Sequence, residues 1–479
     1  MSKEKSKFYI TTPIYYANAK PHIGHAYTTV AADVLARFYR EKIGKENVFL
    51  LAGTDEHGMK IQKKAEEMGM ESQKFVDEIA GEYKKLWKDL NIEYDGFIRT
   101  TDPKHKEAVQ KVLQNLFDKG AIYKGEYEGL YCVDCEQFKS ENELIDGKCP
   151  DHNKIPEMTK EECYLLKMKD KQSELIEKIK SNEFEIAPQR YKNEILSFLE
   201  SQELKDISIS RKNVKWGIEL PFDPAHTTYV WADAFLNYLT GVGWNGNPEN
   251  VPEKWPVDVQ LIGKDILRVH ATIWPIMLLH LGIKLPKLLF THGHILSGGK
   301  KMSKTVGNAI SIGEMLEKFG TDGTRYLLLS AGTFGEDVDV TVERLVEKYN
   351  ADLANGLGNL VSRIVKLSSN LNFQETNSKQ NPNYKTQMSN FIDKLEMGKA
   401  LEYAWSIVRE DNKFIDDNKP WELAKNNQEK FEKVMKKLLA DLNLIADLLI
   451  PFVPETSEKI KKALNTKETK ILFARINTK

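Results

Sequence analysis

The chain has 479 residues, 41% of them hydrophobic and 29% charged, and its 69 Lys and Arg against 70 Asp and Glu leave a formal net charge of −1. This composition suits a globular protein of about three domains. It excludes attraction to nucleic acid by bulk charge, so any RNA partner must be held by local patches. No stretch reaches the roughly 18 consecutive apolar residues of a membrane span. The start, "MSKEKSKFYI", carries charge where an export signal has an apolar core, and four cysteines are too sparse for a disulfide framework. A cytoplasmic protein is expected.

Along the chain, short apolar or β-branched runs each stop at a turn containing Gly or His. They are "KFYITTPIYY", "NVFLLAGTDEHG", "VDVQLIGKD" and "KLLFTHGHILSGG". Helical patterns lie between them, such as Ala26 to Tyr39 with Val30, Val34 and Phe38 at four-residue spacing. Strands alternating with helices predict an α/β fold with a doubly wound, Rossmann-like parallel sheet. Ligands then bind beyond the carboxyl ends of the strands. In "PIYYANAKPHIGHAYTT" a helix is expected to begin near Pro21, a residue suited to a first helical turn. Its free N–H groups favour an anion. His22 and His25 stand in that turn, and Gly24 leaves room for a flat nucleotide.

From about residue 118 to 224 the alternation is interrupted by what reads as an insertion. Within it "YCVDCEQFKSENELIDGKCPDH" places Cys132, Cys135, Cys149 and His152 in a C-x2-C…C-x2-H arrangement. Three thiolates and an imidazole at this spacing suit tetrahedral Zn2+, and four filled positions make the metal structural. Cys163 reads as an ordinary buried or semi-buried thiol. The segment "ILSGGKKMSKTVGN", Ile295 to Asn308, concentrates lysines on an expected mobile, exposed loop, which on its own would be a solvated surface loop. After Asn350 strand signals fade. "NFQETNSKQNPNYK" reads as a loop, and "KFEKVMKKLLADLNLIADLLI" as a helix with Phe431, Val434, Leu438, Leu442, Ile445 and Leu449 on one side. The chain therefore ends in an α-helical bundle.

"HIGH" at 22–25 followed by "KMSKT" at 301–305 resembles the paired signatures of class I aminoacyl-tRNA synthetases. Thr305 departs from the family's serine but keeps the hydroxyl. The resemblance implies that His22, His25, Lys301 and Lys304 are catalytic and clamp the triphosphate of ATP, which arrives with Mg2+. The glycines flanking the lysines would let the loop close and reopen. Within class I the chain is most similar to the methionyl-tRNA synthetase family. The similarity runs through "TTPIYYANAKPHIGH", "AGTDEHG", "TYVWADAFLNYL", "LIGKDILRVHATIWP", "HGHILSGGKKMSK" and "NKPWELAK".

By position in these motifs, the resemblance gives Asp55 the substrate's α-amino group and makes Ile14, Tyr16, Trp231, Ala234, Tyr238, Ile266 and His270 the walls of a methionine pocket. Gly24, Gly263 and Asp265 join the ATP site. "LANGLGNLVSRIV" and "DNKPWELAK" match anticodon-reading elements, with Asn359, Arg363, Pro420 and Trp421. The alternative for Trp421 is a core residue capping the bundle. The family also carries the zinc knuckle in its inserted domain. The implied organisation is 1–117 and 225–298 for the halves of the catalytic domain, 118–224 for the inserted connective domain, 299–352 for the lysine loop and stem-contact region, and 353–479 for the anticodon-binding domain. The expected partners are methionine, ATP and tRNA(Met), including the initiator. An end at Lys479, short of the extra domain of some relatives, implies a monomer. The rival readings are another class I synthetase of cysteinyl or leucyl type, or an inactive zinc-knuckle RNA-binding protein. The interruption is small for the editing insertion of the leucine, isoleucine and valine enzymes.

Overall fold

In the computed structural model, which describes residues 6–132, 137–139, 144–150, 153–212, 214–301, 310–369, 382–468 and 470–477, each predicted apolar run contains a strand. They are β1 (Phe8–Thr11), β2 (Tyr15–Tyr16), β3 (Val48–Asp55), β4 (Gly96–Arg99), β5 (Glu185–Ala187), β6 (Val259–Gly263) and β7 (Leu288–His292), of which β4 and β5 come from text not read as strand. They form one sheet in the order β2-β3-β1-β6-β7-β5, with β4 also on β3. Every pairing is parallel, as in Ile10 with Leu50 and Val259, and Leu261 with Phe290. A parallel sheet is covered on both faces, so its strands read as unbroken apolar runs. Phe8, Tyr9, Ile10, Leu50, Leu51, Leu261 and Ile262 are accordingly all buried.

The chain divides into two compact units. The first comprises Met1–Pro21, Ile43–Leu86 and Glu93–His292 and holds the whole parallel sheet. Its core includes Tyr9, Leu51, Val112, Trp274 and Ile276. The helix Ile273–Leu281 is buried all round except at His280, which suits a segment hydrophobic on every face. The interval 118–224 departs from a simple insertion. It opens on a long antiparallel ribbon of Ile122–Cys132 with Glu157–Leu166, but then returns β5 to the edge of the parallel sheet, against Leu288–Phe290 of β7.

The second unit comprises His22–Lys42, Trp87–Ile92 and Gly293–Lys479. Its first helix, α1 (Ile23–Ile43), carries the fully buried Asp33. Asp33 pairs with Arg37 Nε at 2.8 Å and with Arg325 Nη2 at 2.7 Å. Arg325, also fully buried, donates to the carbonyls of Phe452, Pro451 and Leu90 at 2.8, 3.0 and 3.1 Å. A buried charge is tolerable when paired and fully hydrogen-bonded, and a guanidinium has the donors to do it. This contact ties α1 to the helix Ile312–Ser330 and to the turn before Pro454–Thr466.

A π-helical stretch, Tyr349–Gly358, runs into the helix Asn359–Leu367, and four further helices span Met397–Asn418, Pro420–Asn426, Gln428–Leu449 and Pro454–Thr466. Phe431, Val434, Leu438, Leu442, Ile445 and Leu449 are all buried, as their periodicity requires. The expected loop at 372–385 is shorter at its far end. Residues 370–381 lie outside the described residues, and Pro382 opens the helix Pro382–Asp393, where a proline at the first position loses no hydrogen bond. Among the described residues no helix is long and apolar enough to cross a membrane.

Candidate active site

β3 delivers Asp55 to its carboxyl end, 7% exposed, with Tyr16 of β2 beside it in register. Ile14 lies over Gly53, where an added Cβ would sit 2.8 Å from Ile14 Cγ2 and collide with the Ile98 carbonyl. The turn after β3 is pinned by the buried Glu56, which accepts from Arg99 Nε and Nη2 at 2.7 and 2.9 Å and from Thr54 at 2.6 Å.

Short helices at Val230–Ala234, Asn237–Thr240 and Leu267–Ala271 supply Trp231, Ala234, Tyr238 and His270. His270 Nδ1 is 3.0 Å from the Ile266 carbonyl, which can only accept, so Nδ1 carries the proton. Its Nε2 then accepts from the Tyr238 hydroxyl at 2.9 Å. Burial pushes the His270 pKa down to about 4, which keeps the ring neutral at physiological pH. Burial likewise raises the Tyr238 phenol, and the nearby Tyr15 and Asp55 add to the rise against a hydrogen bond with Asn237. Trp231 and Phe235 stand edge-on to His270 at centroid distances of 6.0 and 5.0 Å. Trp231 Nε1 is buried and meets no acceptor among the described residues. The wall is therefore aromatic and uncharged, with one indole N–H to offer.

At the carboxyl end of β6, Gly263 leads into the turn Lys264–Ile266, and a Cβ on it would sit 2.6 Å from Asp265 Oδ1.

In the second unit, the His22 carbonyl accepts from the N–H groups of His25 and Ala26 at 3.0 and 3.2 Å, which makes it the cap of α1. Pro21 thus precedes the cap and stands outside the first turn where sequence placed it. His22 Nδ1 accepts from the Gly24 N–H at 3.1 Å, His25 Nδ1 accepts from the His22 N–H at 3.3 Å, and the rings stack 3.6 Å apart. Both Nδ1 atoms accept, so each neutral ring carries its proton on Nε2.

The lysine segment begins as a ribbon. Ile295–Ser297 pairs antiparallel with Lys300–Lys301 and parallel with Val338–Asp339. Gly298 and Gly299 have φ of 62° and 72°, the left-handed pair that a two-residue hairpin turn requires. These two glycines close the hairpin that leads into the lysine loop, whose residues 302–309 lie outside the described residues. Lys301 ends the strand, and Lys304 and Thr305 lie outside the described residues.

Of the cysteine set, Cys132 ends its strand, paired antiparallel with Gln137. Cys149 is fully buried in a turn where its N–H reaches the Lys154 carbonyl and its own carbonyl takes the Asn153 N–H, both at 2.8 Å. Cys135 and His152 lie outside the described residues. Cys163 is buried opposite Gly125.

In the helical region Asn359 is exposed and begins its helix, with Arg363 one turn on. The Arg363 guanidinium donates to Asp416 Oδ1 at 2.6 Å and lies 5.8 Å from the Trp421 ring centroid. Trp421 is 42% exposed while Pro420 before it is buried, so the ring does not cap a core. A cavity of about 470 Å³ beside Asn359 is lined by Asn355, Ser362 and Lys366 on one side and by Lys470 and Phe473 on the other.

The sequence model described as "tRNA synthetases class I (M)" matches residues 8–155 and 140–365, and the "Anticodon binding domain of methionyl tRNA ligase" matches 372–476. The methionine–tRNA ligase of Clostridium acetobutylicum is 45% identical over 480 residues, covering 96% of this chain and 74% of that protein. The chain belongs to the methionyl-tRNA synthetase family. The methionine–tRNA ligase of Clostridium tetani is 44% identical over 476 residues, covering 96% of this chain and 74% of its own. Among solved structures, Mycobacterium tuberculosis methionyl-tRNA synthetase in complex with methionyl-adenylate is similar at TM-score 0.88 and 35% identity, over 95% of this chain and 93% of that one.

Sequence reasoning missed three residues of this synthetase's first unit. His57 and His105 both contact Asp233, which sits on the helix of Trp231 and Ala234. "DEHG" and "VWADA" contained two of them, but an isolated histidine or aspartate in such text carries no sign of its distant partner.

Proposed function

We propose that this methionine–tRNA ligase divides its work among four sets of residues. Asp55 binds the α-amino group of methionine, while Ile14, Tyr16, Trp231, Ala234, Tyr238, Ile266 and His270 enclose the side chain. An unbranched thioether gains roughly 0.3–1.5 kcal/mol from each sulfur–aromatic contact, and a neutral His270 avoids placing a charge against it. His22, His25, Lys301 and Lys304 bind the triphosphate, and Gly24, Gly263 and Asp265 also serve ATP, whose Mg2+ neutralises phosphate charge. A carboxylate oxygen of methionine attacks the α-phosphorus and pyrophosphate leaves. A hydroxyl of the terminal adenosine of tRNA then attacks the activated carbonyl and AMP leaves. The lysines stabilise the charge that develops on the phosphates, and no enzyme-bound acyl group is needed.

Cys132, Cys135, Cys149 and His152 would hold structural Zn2+. The fit is supported by two buried thiols, one at a strand end and one in a backbone-pinned turn. Such a metal supplies folding energy to the inserted region. Asn359, Arg363, Pro420 and Trp421 read the anticodon of tRNA(Met), initiator included, with the cavity beside Asn359 able to take a splayed base. The sparse cysteines suit a reducing, cytoplasmic compartment.

The observation that carries this reading is the uncharged aromatic wall around His270 in the same unit as the buried Asp55. Pyrophosphate exchange into ATP, run separately with each amino acid, tests it. Exchange should depend on methionine, and equal or faster exchange with cysteine or leucine would overturn it.

A further inference from the structure

Asp233 is 1% exposed and stands between Trp231 and Ala234 on their short helix. Its two oxygens are taken by two different histidines. Oδ2 is 2.6 Å from Nδ1 of His57, and Oδ1 is 2.7 Å from Nε2 of His105. An ionised carboxylate only accepts, so His57 is protonated at Nδ1 and His105 at Nε2. Burial works against the Asp233 carboxylate, but the two imidazoles outweigh it and hold its carboxyl below the usual range.

The three residues come from different elements. His57 lies two positions after Asp55, on a turn held by Trp216: the Gly58 N–H donates to the Trp216 carbonyl at 3.0 Å, and Trp216 Nε1 donates to the Glu56 carbonyl at 2.5 Å. His105 belongs to the helix Pro103–Asp118, and its Nδ1 meets the Thr240 hydroxyl at 2.7 Å on the helix that also carries Tyr238. A buried carboxylate is costly, and apolar packing would stabilise such a place as well or better. Its hydrogen bonds, unlike apolar contacts, set a fixed distance in a fixed direction.

We infer that His57 and His105, joined through Asp233, are positioning residues that hold the Asp55 turn at a set distance from the Trp231–Ala234 helix and so select the length of the amino-acid side chain. This rests on the reading of Asp55 and Trp231 as methionine contacts. An anchor for the amino group and a wall for the side-chain end measure length only if the span between them is rigid. A single methylene is discriminated by about 10–200-fold in a well-formed apolar pocket, and a loosened span forfeits part of that.

The test compares kcat/KM for methionine with that for its S-ethyl homologue, one methylene longer, in adenylate formation, together with the KM for ATP and the melting temperature. His57→Ala and His105→Leu should each lower the preference for methionine about tenfold and leave the KM for ATP within about twofold. His57→Asn and His105→Gln, which place an amide N–H where the imidazole N–H stood, should restore most of the preference. His57→Gln sets its donor one bond too far out and should remain relaxed, so the inference stays testable even where the alanine variant does not fold. Unchanged preference in the relaxed variants, or a conservative variant no better than its apolar counterpart, overturns it. Asp55→Asn separates the two readings. If it leaves the KM for methionine unchanged, the pocket assignment fails and the inference with it; if it raises that KM while the histidine variants keep their preference, only the inference fails.

Discussion

Acidification should destabilise this protein through His270 in a window that can be stated in advance. Folding lowers the imidazole pKa from 6.5 to about 4 because the ring is fully buried, which outweighs the opposing pull of the Ile266 carbonyl and of Asp265. The unfolded chain therefore takes up the proton first. The stability this residue contributes is intact above about pH 6.5 and is lost progressively as the pH falls toward 4. At about 1.36 kcal/mol per pH unit the full gap is worth about 3 kcal/mol, and about 2 kcal/mol of it is already gone at pH 5. His270→Gln can keep a hydrogen bond to Tyr238 but cannot titrate. Denaturant unfolding at pH 7.5 and at pH 5 should then show the wild type losing about 2 kcal/mol more than the variant. The imidazole C2–H resonance, assigned by its absence in His270→Gln, should stay at its neutral position down to pH 5. A midpoint near 6.5 for that resonance, or equal acid sensitivity of the two proteins, would refute the burial argument.

Trp421→Ala should leave methionine activation intact and weaken tRNA charging about five- to over a hundredfold, the range for losing a base–aromatic stack; a parallel loss of both activities with a fall in melting temperature would mean the ring matters for packing instead. Arg363→Ala should in addition blunt discrimination among anticodons, measured as charging of tRNA(Met) against a tRNA with an altered anticodon loop. Lys304→Ala and His22→Ala should each cut pyrophosphate exchange about 10²–10³-fold while methionine still binds by calorimetry; wild-type exchange in either removes its assigned role. Metal analysis should find one zinc per chain after mild chelator washing, and Cys149→Ala should loosen the inserted ribbon more than the parallel sheet by hydrogen exchange, whereas well under one equivalent would dismiss the site.

Much of the first unit was legible because its signals are local. "FYI", "FLLAG" and "LIG" are unbroken apolar runs since a parallel sheet buries both faces of each strand. Val30 and Val34 repeat every turn on α1, and both are buried. The start of the lysine segment was not legible for an equally local reason. Paired glycines suit a hinge and a hairpin turn alike, and only the pairing of Leu296 with Lys301 shows the hairpin.

The amino-acid sequence by itself determined the apolar central strands and the amphipathic helices, where the signature residues fall along the chain, and the family to which the protein belongs. Tertiary structure alone decided that Glu185–Ala187 joins the parallel sheet, because three residues in charged text gain their pairing from the backbone of β7. It also decided that Asp233 meets His57 and His105, 176 and 128 positions away, and that Arg325 reaches Asp33 on α1. Periodicity and turn chemistry act within a few residues and are written in the text, whereas a buried polar group finds its partner only after distant strands and helices have packed.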